Sequence, residues 1–123
     1  MRRWTVLSAV LGCLLVGVPA AAAEPLDDAA NWLREHYFEI PIGAGWRVTR
    51  IERGRNDIFV NVTMPRDDAA ELSQMPPDRQ LQVVGIVCPS AYADVWALMP
   101  SRSDIVVRDA VGGAIFQEVA CRR

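Results

Sequence analysis

Two cysteines, Cys88 and Cys121, bracket the last third of the chain, CPSAYADVWALMPSRSDIVVRDAVGGAIFQEVAC, and a bond between them would fix what that third can become. The stretch between them reads as a short helix, a turn and a hairpin. Ile105 and Val107 share one strand face, and Ile115, Val119 and Cys121 share one face of the next strand. Cys121 therefore points into the core, where Cys88 at the head of the preceding helix can meet it. The chain-entropy account gives such a closure roughly 3–4 kcal/mol, a large part of the 5–15 kcal/mol typical of a domain.

The chain's start agrees with an oxidising destination. Arg2 and Arg3 precede an apolar run, Trp4 to Val18, broken only by Thr5, Ser8, Gly12 and Gly17. Pro19 and an alanine run follow. Ala21 and Ala23 fit the small-x-small cleavage rule, so residues 1–23 read as a Sec-type signal peptide cut after Ala23. The competing membrane anchor fits less well, because the run is short for a span and has no charged stop. Val10-Leu11-Gly12-Cys13 loosely resembles a lipobox. Cutting there would leave a very short apolar region before the cut.

Residues 24–123 are enough for one domain with one modest core. Without Arg2 and Arg3 the remaining 11 arginines face 15 carboxylates, a net charge of −4. Such a chain has no electrostatic footprint for nucleic acid or an anionic membrane, and it keeps no membrane anchor once the signal is cut. The two remaining cysteines are an even pair, for which a disulfide is the default in an exported chain.

Taken in order, the mature chain opens with a helix capped at Asp27 or Asp28. Its apolar stripe is Leu26, Ala30, Leu33 and Tyr37, with Trp32 and His36 on the flank. Trp46 to Met64 reads as a hairpin around Gly54–Asp57. Ile58, Val60, Val62 and Met64 alternate cleanly on the second arm. The first arm has conflicting parity between Val48 and Ile51, which a bulge near Thr49-Arg50 reconciles. A short helix capped at Asp67 follows. Residues 81–87, LQVVGIV, suit either strand or helix. Helix is favoured because Pro89–Met99 continues as a helical segment with Tyr92, Val95, Trp96 and Met99 on one face. The expected fold is α+β, an antiparallel sheet of about four strands in two hairpins, with helices on one face and one disulfide.

Chemistry is sparse. His36 is the only histidine, and it fits a helix boundary better than a catalyst. GxSxG and glycine-rich phosphate loops are absent, and one histidine with two bridged cysteines makes no ordinary zinc site. The Asp27-Asp28 and Asp67-Asp68 pairs are explained by capping. A redox-active Cys88 is the less usual reading, because CxxC is absent. No catalytic, cofactor or metal site is therefore assigned.

The most suggestive feature is arginine. Arg47, Arg50 and Arg53 lie on the first hairpin beside Trp46, with Arg55 and Arg66 near. Guanidinium forks suit carboxylates and phosphates. The bland alternative is a solvated strand with a guarded edge. The expectation is a non-enzymatic periplasmic or secreted module that binds a protein or an envelope component through Trp46, Arg47, Arg50 and Arg53. A small-ligand carrier or enzyme inhibitor with a cleft at Trp32, His36 and Tyr37 is the alternative. A small hydrolase or thiol-redox protein is the more remote one.

Overall fold

Leu26, Ala29, Ala30 and Leu33 recur at the helical period and all four are buried, which lays helix α1 (Ala20–Tyr37) on the sheet and along β2. The computed structural model describes residues 20–38 and 41–122. Most of the predicted signal segment, Cys13 included, lies outside the described residues. Helix α1 begins upstream of its expected cap, because alanine is the strongest helix former and Ala20–Ala23 extend it. Asp27 and Asp28 are therefore in the body of the helix and not at its cap.

The sheet has five strands in the order β1 (Pro41–Gly43), β2 (Trp46–Arg53), β3 (Ile58–Thr63), β4 (Ile105–Val111) and β5 (Ala114–Cys121). Both expected hairpins form. β2 pairs antiparallel with β3, and β4 with β5 around Gly112-Gly113. The bulge falls between Val48 and Arg50, leaving Thr49 as the extra residue and turning Ile51 into the core.

The expectation of about four antiparallel strands is corrected in two respects. Pro41–Gly43, which reads as a turn, pairs with β2 as a short edge strand. β3 and β4 run parallel, with Ile58 opposite Ile105 and Val60 opposite Val107. The reason is the connection. Residues 64–104 fold into helices, and a helical crossover returns the chain to the end of the sheet where β3 began.

That crossover holds α2 (Arg66–Ser73), α3 (Pro77–Val84), a 3₁₀ turn at Gly85–Val87 and α4 (Val95–Leu98). Residues 81–87 are thus helical. Asp67 is not a cap: Pro65 holds that position, and Asp67 and Asp68 fall in the first turn of α2. The expected helix over 89–99 shrinks to its last turn. The Ser90 carbonyl accepts both the Ala93 amide and the Trp96 indole N–H, and the Ser90 hydroxyl accepts the Tyr92 amide. These bonds stabilise a turn where helix was expected, and Tyr92 is left 96% exposed.

The core lies on one sheet face. Val48, Ile51, Ile58, Val60, Val62, Ile105 and Val107 meet Leu26 and Leu33 of α1, Leu72 of α2, and Val84, Val87 and Val95 of the crossover. Cys88 and Cys121 are bonded, with their Cα atoms 5.5 Å apart, tying the crossover to the end of β5. Ile115 departs from the expected parity. A second bulge between Asp109 and Ala110 sets Ile115 opposite Ala110 and turns it outward, 57% exposed.

Candidate functional site

The first hairpin distributes the predicted surface over two faces. Pairing places Arg47 opposite Thr63 and Arg50 opposite Asn61, on the face away from α1. Trp46 and Arg53 belong to the core side, because the Thr49 bulge shifts parity between them and both ends turn inward at the rim. Arg53 pairs with Asp27 of α1 at 2.8 Å. Trp46 donates its indole N–H to Asp68 of α2 at 2.6 Å. So one aspartate from each of the two pairs explained by capping holds one of the four residues that read as a contact surface.

The outer face is a polar ladder. Arg50, Asn61, Arg108 and Glu118 stand side by side across β2, β3, β4 and β5. Arg50 pairs with Glu52 at 3.5 Å, which also accepts the Asn61 amide at 2.8 Å. Arg108 lies 3.6 Å over the Phe59 ring and 3.4 Å from Glu118. These guanidiniums are already engaged. Arg47 is exposed and has no partner among the described residues.

Beside Trp46 there is a notch of about 190 Å³, lined by Ile42, Gly43, Trp46, Val83, Ile86 and Val87. Its walls are almost wholly apolar, and Ile86 is 70% exposed. The 3₁₀ turn causes this exposure: Val87 turns into the core and Ile86, one residue earlier, turns out. Sequence reasoning named Trp46 but not Ile86, because in the helical reading of 81–87 nothing marks Ile86 as outward.

Trp32, His36 and Tyr37 do not gather round one cavity. The Trp32 and His36 rings stack 3.7 Å apart, and the Trp32 carbonyl lies 2.7 Å from His36 Nδ1. A carbonyl only accepts, so Nδ1 is the donor in this bond. Tyr37 is half-buried, and its hydroxyl is pushed up to about 12 by burial. The cleft between α1 and β2, about 290 Å³, is instead lined by Arg34, Phe38, Arg50 and Ile51. There Arg34 donates to the Ile51 carbonyl at 3.2 Å.

Asp109 escaped the sequence reading. It is wholly buried, and neither carboxylate oxygen has a hydrogen-bond partner among the described residues. Desolvation pushes its pKa up to about 6, opposed by the Ala110 amide nearby, which falls outside strict hydrogen-bond geometry. The one sequence signal was its place on the otherwise apolar inward face of the strand IVVRDAV.

Among the described residues, no helix is long and apolar enough to cross a membrane, and no group of three His, Cys, Asp or Glu side chains could hold a metal ion. Comparison with known proteins finds no matching family model, curated protein or solved structure.

Proposed function

We propose that this chain is an exported, non-enzymatic binding module that grips a protein partner by one large apolar side chain seated in the Trp46–Ile86 notch. The notch itself carries this reading. At about 190 Å³ it is smaller than the roughly 300–1,000 Å³ of small-molecule sites, and its almost wholly apolar lining offers little to orient a free ligand. A single aliphatic or aromatic residue presented by a protein suits it, as buried anchors do in interface hot spots. The notch borders the short β1 edge, and Arg47 stands on the other face of that edge. A partner segment running along β1 reaches both, so an acidic residue beside its anchor complements Arg47.

Export is part of the proposal. The Cys88–Cys121 bond suits an oxidising compartment. Cleavage after Ala23 would place Pro25, now inside α1, in the first turn, where a missing N–H breaks no helical bond.

The test is affinity capture from envelope extract with the tagged exported protein, run beside Ile86→Glu and Arg47→Glu. A stoichiometric protein that is lost with Ile86→Glu, weakened with Arg47→Glu and retained with the outer-face control Arg50→Glu supports the reading. Capture unchanged by Ile86→Glu in a folded, disulfide-bonded protein overturns it, as does a stoichiometric lipid or glycan in place of a protein.

A further inference from the structure

A second cavity lies elsewhere, at the end of the β4–β5 ladder. It measures about 420 Å³, within the small-molecule range, and Trp96, Ser101, Ser103, Asp104, Cys121 and Arg122 are among the residues that line it. The last ladder pair there is Ile105 opposite Cys121. One residue further along each strand stand Asp104 and Arg122, and both line the cavity, bringing a carboxylate and a guanidinium to it.

Neither charge has a partner among the described residues, and the Ser101 and Ser103 hydroxyls also make no hydrogen bond there. The frame around them is firm. The Asp104 amide donates to Asp57 Oδ1 at 2.8 Å, and the Asp104 carbonyl accepts the Ile58 amide at 3.0 Å. Cys121 is fixed by its bond to Cys88. The Trp96 indole N–H donates to the Ser90 carbonyl, and the largely buried side chain forms part of the cavity lining.

We infer that this cleft binds a small zwitterion, a molecule of amino-acid or dipeptide size bearing both an ammonium and a carboxylate. Asp104 takes the ammonium and Arg122 the carboxylate, for which a guanidinium fork is suited. The Ser101 and Ser103 hydroxyls supply neutral hydrogen bonds between the two charges, and Trp96 lies against the apolar part of the ligand. The site is separate from the notch at Trp46, so a carried ligand and a held partner do not compete for residues.

The probe is L-alanyl-L-alanine, titrated calorimetrically into the intact, disulfide-bonded protein. Its N-acetyl and C-terminal amide derivatives, each lacking one charge, serve as controls. The expected Kd is about 1 mM or tighter, with each blocked derivative about tenfold weaker. Arg122→Gln should remove the preference for the free carboxylate only, and Asp104→Asn the preference for the free ammonium only. Both side chains are exposed, so both variants fold, and an unchanged melting transition checks it. Absence of heat at about ten times that concentration overturns the site. So does equal binding of the blocked dipeptides, and so does stability coupling between Asp104 and Arg122 unaccompanied by binding.

Discussion

Asp109 stands opposite Val62 on the parallel β3–β4 ladder, so a carboxylate occupies a fully buried position whose neighbour on the next strand is valine. Its other strand neighbour is Gln117 of β5. Burial raises the pKa from the unfolded value of 3.8 to about 6, so the folded protein holds this proton more tightly than the unfolded chain does. The resulting stability is fully present below pH 3.8 and is lost as pH rises through about 6. Its size is roughly 3 kcal/mol. Urea unfolding of wild type and Asp109→Asn across this window should show a difference that changes with this sign. Parallel curves would refute the assignment. Asp109→Val should be more stable than wild type at neutral pH, because it removes an uncompensated buried charge.

The Cys88–Cys121 bond closes a loop with a sequence separation of 33. Replacing both cysteines by alanine should cost about 3–4 kcal/mol, read as a lower urea midpoint. Mass spectrometry of the unreduced, alkylated protein should find neither cysteine modified.

The arginines of the first hairpin should separate by face. Arg53 meets Asp27 at 2.8 Å, but Asp27 is 59% exposed, so solvent screening limits the pair. Arg53→Ala should cost about 1 kcal/mol or less, and Arg53→Glu more, because it sets two carboxylates together. Arg47→Ala should fall within about 0.5 kcal/mol of wild type. Equal effects at positions 47 and 53 in thermal unfolding would contradict the parity shift at Thr49.

Much of this molecule is legible in local pattern. The α1 stripe, both hairpins, the Thr49 bulge and the cysteine pairing follow from periodicity and parity. What pattern could not supply was the relation between distant segments. The parallel placement of β4 beside β3 depends on how the helices of residues 64–104 return the chain, and hydrophobic spacing looks the same in parallel and antiparallel neighbours. The same limit governs the site. Asp27 and Asp68 belong to acidic pairs that read as helix capping, and Arg53 and Trp46 read as a contact surface. Only the packing of α1 and α2 against β2 joins them as pairs. Ile86 and Ile115 face outward because of a 3₁₀ turn and a bulge, each a one-residue departure from regular period.

Gly45, in the β1–β2 turn, has φ +83° and lies so near Pro65 that an added Cβ would stand 2.7 Å from Pro65 Cγ. Gly45→Ala therefore meets both backbone strain and a clash with a stiff ring, and should cost about 1–3 kcal/mol. Gly113→Ala meets the strain without the clash, since nothing lies within 4 Å of its added Cβ. It should cost less, and thermal unfolding of the two variants compares them directly.

The Trp46–Asp68 bond gives the last prediction. The indole N–H donates to a carboxylate at 2.6 Å in a half-buried setting, a charge-assisted bond. It joins the first strand of the hairpin to the first turn of α2, and it holds one wall of the Ile86 notch. Asp68→Ala should cost about 1.5–3 kcal/mol, the range for hydrogen bonds to charged groups. Asp68→Asn keeps an acceptor oxygen and should recover part of that loss. Because Trp46 lines the notch, Asp68→Ala should also change its tryptophan emission and weaken partner capture, although Asp68 is not among the residues lining the notch. Stability lost without any change in emission would mean that packing alone, and not the Asp68 bond, sets the indole's position.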